Sequence, residues 1–144
     1  MEKGINSYIR KQFEIEEADM RMYSPLALAY IGDAVFDLII RSVVVGRGNK
    51  RADVLHQRTS QIVKAHTQAK MIEQLLPGLT EEEKNIYRRG RNANSPTMAK
   101  NATVSDYRKA TGFEALIGYL YLTDEFERIL ALVLEGLKQI NERI

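Results

Sequence analysis

The 144-residue sequence predicts one all-α domain, spanning residues 1–144, on three observations. Apolar residues recur at three- and four-residue steps along most of the chain. The three prolines and most of the nine glycines fall between such segments. The Val43-Val44-Val45 run is strand-like, but no second run could pair with it.

The elements follow in order. A short amphipathic helix is expected around Tyr8 to Phe13. Ser24-Pro25 supplies an N-cap and a proline at the first helical position, opening a helix to about Val44. That helix is apolar nearly all round, so it is expected to be the central buried one. Gly46-Arg47-Gly48-Asn49 breaks the chain. A helix from about Lys50 to Leu76 shows Val54, Leu55, Ile62, Ala65, Ala69, Ile72 and Leu76 on one face, and Pro77-Gly78 ends it. Thr80 with Glu83 forms a capping box for a helix to about Gly90. Asn92 to Thr103 reads as a loop. Ser105 is expected to cap a helix through about Leu122, and Thr123 with Asp124 and Glu125 to cap the last, through about Glu142.

Composition narrows the class. Hydrophobic residues are 44% and charged residues 28%, ordinary values for a globular domain and poor ones for a disordered chain. The absence of cysteine excludes disulfides, thiolate metal sites and a cysteine nucleophile. No basic start followed by an apolar run marks a signal peptide. The longest apolar stretch, Met22 to Val45, is cut by Asp33, Asp37 and Arg41, so no membrane partner is expected. The expected location is cytoplasmic.

The net charge of +2 hides a segregation. From Lys84 to Lys109 there are seven basic residues (Lys84, Arg88, Arg89, Arg91, Lys100, Arg108, Lys109) against one acid, Asp106. The other 118 residues hold 14 of the 21 cations and 18 of the 19 acids, a balance of −4. Such asymmetry points to a polyanion bound at one place. The basic run has no aromatics beyond Tyr87 and Tyr107 and lacks a base-stacking platform, so it suits duplex phosphate backbone better than single strands.

Two acids stand inside apolar runs: Asp33 in Tyr30-Ile31-Gly32-Asp33-Ala34-Val35-Phe36, and Glu114 in Gly112-Phe113-Glu114-Ala115-Leu116-Ile117-Gly118. A carboxylate there needs a cation, a metal or hydrogen-bond donors. Glycine beside each allows close approach of another helix or a ligand. The pattern leaves two readings open: a hard-cation site for Mg²⁺, or two acids satisfied by arginine or backbone groups. Asp37 and Arg41 read as a helical ion pair. His56 and His66 are not at metal-ligand spacing, and no phosphate-binding glycine loop or Ser/His/Asp set occurs.

Leu28-Ala29-Tyr30-Ile31-Gly32-Asp33-Ala34-Val35 resembles the signature helix of the ribonuclease III family, and Glu114-Ala115-Leu116-Ile117-Gly118 resembles its second acidic motif. Tyr87-Arg88-Arg89-Gly90-Arg91-Asn92-Ala93 and Tyr107-Arg108-Lys109-Ala110-Thr111-Gly112-Phe113-Glu114 resemble stretches of its short branch, which lacks a separate duplex-RNA-binding domain. The resemblance runs from about residue 22 to the end. It implies a ribonuclease III-like helical bundle acting as a homodimeric, Mg²⁺-dependent endoribonuclease. It implies double-stranded RNA as substrate, in this branch precursor large-subunit (23S) ribosomal RNA, cut to leave 5′-phosphate ends. Asp33 and Glu114 are then the catalytic and metal-holding residues. Arg88, Arg89, Arg91, Lys100, Arg108 and Lys109 are the RNA-binding ones, and Tyr30 lies at the dimer interface. An accessory ribosomal protein could present the substrate.

The sequence departs from the family pattern at three positions. Acids expected seven and four residues before Asp33, and three before Glu114, are Leu26, Ala29 and Thr111. All share the helical face of the surviving acid. Thr111 and Asp106 are candidates to support the site from one layer further out. The missing acids keep open an alternative, a catalytically inactive relative serving as an RNA-binding structural protein of the ribosome.

Overall fold

The computed structural model describes residues 4–17, 19–94 and 103–144. Among them are seven α-helices and no strand: α1 (Ile5–Gln12), α2 (Pro25–Gly46), α3 (Ala52–Val63), α4 (Ala65–Leu75), α5 (Glu81–Asn92), α6 (Val104–Leu122) and α7 (Phe126–Gln139). Single 3₁₀ turns occupy Met20–Met22 and Leu76–Gly78. The all-α expectation is met, and two start signals act as read. Ser24 Oγ accepts from the Ala27 N–H at 3.1 Å with Pro25 at the first helical position. Thr80 and Glu83 form the reciprocal capping box that starts α5.

The centre of the fold is α6 rather than α2. α6 packs against α2, α4 and α5, and its Phe113, Leu116 and Ile117 are fully buried. Phe36 of α2 meets Phe113 edge to face, with ring centroids 5.3 Å apart. α2 is buried on one side only. Tyr30, Asp33, Ala34, Leu38, Arg41 and Val45 are exposed along the other, because no element among the described residues covers that face.

The expected Lys50–Leu76 helix is two helices. Lys64 is extended (φ −68°, ψ 155°) and separates α3 from α4. Side chains take up carbonyls that the break frees. Thr67 Oγ1 donates to the Gln61 carbonyl at 3.0 Å, and Gln68 Nε2 to the Val63 carbonyl at 2.8 Å. The apolar face continues through Ile62, Ala69 and Ile72, so periodicity alone reads the two helices as one.

Two caps also differ from expectation. Thr103, not Ser105, caps α6, its Oγ1 accepting from the Asp106 N–H at 3.0 Å. Thr123 does not cap α7; its hydroxyl donates back to the Tyr119 carbonyl at 2.8 Å and closes α6. α7 then starts at Phe126 and ends at Gln139. Arg128 fastens α7 to the start of α5 through two hydrogen bonds to Glu83, 2.9 and 2.8 Å long. That guanidinium holds the Glu83 carboxyl below the usual carboxylate range. Among the described residues no helix is long and apolar enough to cross a membrane.

Candidate active site

The two acids meet because α2 and α6 cross backbone to backbone. A Cβ on Gly32 would lie 1.7 Å from the Glu114 carbonyl oxygen, and one on Gly118 would lie 1.9 Å from the Leu28 carbonyl oxygen. Only glycine permits that approach. Asp33 follows Gly32 and Glu114 precedes Gly118, so the crossing brings their carboxyl groups into direct interaction. Asp33 is on the exposed edge of α2, contrary to its expected burial, while Glu114 is half-buried.

Burial pushes the Glu114 carboxyl up to about 9, and the hydrogen bond and charge of Asp33 push in the same direction. Gln68 Nε2 opposes them with a hydrogen bond to Glu114 Oε2 at 3.3 Å. No arginine, lysine or histidine among the described residues forms an ion pair with either acid. Of the two readings that the spacing left open, satisfaction by arginine is therefore absent here. The two carboxyl groups form a hard oxygen environment that wants positive charge, and the Gln68 amide meets it only through a neutral N–H donor. This fits a divalent cation that keeps several waters. No group of three or more acids or histidines forms among the described residues; Leu26, Ala29 and Thr111 stand where further acids could have joined the pair.

The other candidates are dispersed. Thr111 is buried three residues before Glu114, and its hydroxyl donates to the Tyr107 carbonyl at 2.9 Å. Asp106 stands two helical turns from Glu114, about 12 Å along the axis. It pairs with His66 Nδ1 at 2.9 Å instead. Arg88 and Arg89 are exposed on the last turns of α5. Among the described residues Arg88 reaches Asn85 of its own helix, and Arg89 the Tyr23 carbonyl at 3.4 Å. Arg91 lies over the Tyr87 ring at 5.7 Å from its centroid. Arg108 is exposed, whereas Lys109 is tied to Glu73 at 2.5 Å. Lys100 lies outside the described residues. Tyr30 is 83% exposed. Asp37 and Arg41 form the expected ion pair at 2.6 Å.

α5 is held to α6 by a second glycine contact. A Cβ on Gly90 would meet Ala115 at 2.8 Å, and one on Gly112 would meet Tyr87 at 2.7 Å. The Arg88–Arg91 turn is thereby fixed to the helix that carries Glu114. Gln68 was not among the candidates. Its signal was available: it shares the apolar face of Ala65, Ala69 and Ile72, where a polar side chain needs a reason.

Residues 26–125 match the model of the Ribonuclease III domain. A Mini-ribonuclease 3 of Thermoanaerobacter sp. (strain X514) is 43% identical over 142 residues, covering 99% of this chain and all of the relative. One from Enterococcus faecalis is 46% identical over 126 residues, covering 86% of this chain and 96% of the relative. A crystal structure of a Fusobacterium nucleatum protein superposes with a TM-score of 0.77 at 34% identity, over 84% of this chain and 98% of that one. The matched region contains Asp33, Glu114 and the α5 cations together. This chain belongs to the ribonuclease III family, in its Mini-ribonuclease 3 branch, and is an endoribonuclease.

Proposed function

We propose that the chain cleaves double-stranded RNA with Mg²⁺ held between Asp33 and Glu114, and that it matures precursor large-subunit ribosomal RNA in the cytoplasm as a homodimer. One observation carries the reading: two carboxyl groups from different helices interact directly, with no cation of the described chain paired to them. Carboxyl groups so arranged repel each other unless a proton or a metal lies between them. A bound Mg²⁺ would supply Lewis-acid chemistry for phosphodiester hydrolysis. The residues of the chain do the remainder. Asp33 and Glu114 hold the charge that attracts the ion, and Gln68 meets Glu114 from the buried side. Arg88, Arg89 and Arg108 grip backbone phosphates and orient the duplex. Arg91, Lys100 and Lys109 belong to the same basic segment. The product carries a 5′-phosphate.

A homodimer is supported by the uncovered side of α2. Tyr30, Ala34 and Leu38 repeat at four-residue steps there, with Tyr30 83% and Leu38 51% exposed. An apolar stripe of that kind is costly in water unless covered. An accessory ribosomal protein as presenter of the precursor is part of the same proposal.

The test is cleavage of a duplex RNA by wild type and Asp33→Asn, each with Mg²⁺ and with EDTA. Wild type cuts only with Mg²⁺, while Asp33→Asn binds the duplex with unchanged affinity and does not cut. Mg²⁺-dependent cleavage by Asp33→Asn at the wild-type rate removes Asp33 from the mechanism.

A further inference from the structure

Gln68 is a polar side chain that neither the charge pattern nor the acidic motifs explain. It lies in the first turn of α4 and is 1% exposed. Its Nε2 donates to the Val63 carbonyl at 2.8 Å and to Glu114 Oε2 at 3.3 Å. An amide nitrogen has two hydrogens, so both bonds can form together. The first closes the end of α3, and the second reaches across to α6. Gln68 Oε1 is buried without a partner among the described residues. Leucine or methionine would fill the same space without that unsatisfied oxygen, so packing alone does not account for glutamine here.

The neutrality of the amide is equally specific. Lysine or arginine at this position would pair with Glu114 and compete with a metal for it. Glutamate would add a third acid to a crowded pair. An amide can hold the carboxyl group in place and leave its charge to a cation. The geometry points to Gln68 as the positioning residue of the active site: its amide fixes the orientation of Glu114 and anchors it to the α3–α4 break. The break at Lys64 is thereby part of the site, since it frees the Val63 carbonyl that holds the amide. The proposal deepens the metal reading above and rests on it.

Gln68→Met keeps the volume and removes the donor. Outer partners of metal ligands are typically worth roughly tenfold to a hundredfold in affinity or activity. Mn²⁺ affinity, read by electron paramagnetic resonance, is expected to fall by about that factor. kcat on a duplex RNA falls with it, while KM stays at the wild-type value because Arg88, Arg89 and Arg108 are untouched. Wild-type Mn²⁺ affinity together with wild-type kcat in Gln68→Met overturns the proposal. A second readout needs no Gln68 variant and no metal. The side-chain amide cross-peak of Gln68 in the NMR spectrum of the full chain should shift in Glu114→Ala. A cross-peak that stays in place overturns the proposal even if Gln68→Met does not fold. Equal Mn²⁺ affinity in wild type and Glu114→Ala would instead remove the metal reading, and the metal-free cross-peak then decides the role of Gln68 separately.

Discussion

Three influences act on the half-buried Glu114 carboxyl: burial, the Asp33 carboxyl and a neutral donor, Gln68. In the metal-free chain its carboxyl is raised from 4.5 to about 9. The sign of the consequence is fixed by linkage. Between those values the folded chain holds a proton that the unfolded chain has released. Its stability contribution is therefore greatest at and below pH 4.5, falls as pH rises through the window, and levels off above pH 9. The slope is at most about 1.4 kcal/mol per pH unit for one such group. Denaturant melts of metal-free protein from pH 5 to pH 9 should show this decline in wild type and lose it in Glu114→Gln. Superimposable pH profiles for the two would show that Glu114 is not raised. Mg²⁺ held as proposed would act in the opposite direction: a metal prefers the deprotonated carboxylate, so adding it near pH 8 should release protons and restore stability. Of these residues, Asp33 and Glu114 were legible because acids in apolar runs are anomalous. Their proximity was not, since it depends on how two helices eighty residues apart in sequence cross.

At the scale of the helices, that crossing is the device that brings the two carboxyl groups of the candidate site together. Gly32 and Gly118 remove two side chains where α2 and α6 would collide. The Gly32→Ala change places a methyl 1.7 Å from the Glu114 carbonyl oxygen, against backbone that cannot rotate away. The helices must separate, which moves Asp33 off Glu114 as well as disturbing the core. A cost of about 3 kcal/mol, at the upper end for overpacking, is expected in chemical denaturation, together with loss of cleavage. Gly46→Ala is the control. A Cβ there meets nothing within 4 Å, and stability should hold or rise by about 0.5 kcal/mol. Equal stability of the two variants would contradict the tight crossing. Capping chemistry made the starts of α2 and α5 legible because Ser24-Pro25 and Thr80…Glu83 act within one turn. The α3–α4 break was hidden because Thr67 and Gln68, which stabilise it, sit in register with the apolar face. Ser105 misled because Thr103, two residues earlier, is an equally good cap and is the one used. Thr123 misled because a hydroxyl can also bond backward, here to the Tyr119 carbonyl.

At the scale of the whole molecule, the partners of each cation in the basic segment decide what that cation can do. The expectation that α2 is buried all round fails because a single chain leaves one side of it uncovered. A second copy supplies the missing cover in the proposed dimer. Leu38→Glu should therefore give monomers in light scattering while keeping its helical content, and a wild-type mass for that variant would place the dimer contact elsewhere. The basic segment divides further. Arg88, Arg89 and Arg108 are exposed and paired to no acid among the described residues, whereas Lys109 already holds Glu73. Each free cation that contacts a phosphate releases about one counterion, so the exponent of the salt dependence counts such contacts. Substituting Arg88, Arg89 and Arg108 together with alanine should reduce that exponent by about 2–3 in duplex-RNA binding measured from 50 to 200 mM salt. Lys109→Ala should change it by less than about 1, because in the free protein Lys109 must first leave Glu73 to reach a phosphate. The same four residues form one run of charge in the sequence, and only their partners distinguish them. An equal change per residue in both variants would mean that the Lys109–Glu73 pair opens at no cost on binding. No change in the triple variant would mean that the RNA is gripped by another face of the molecule.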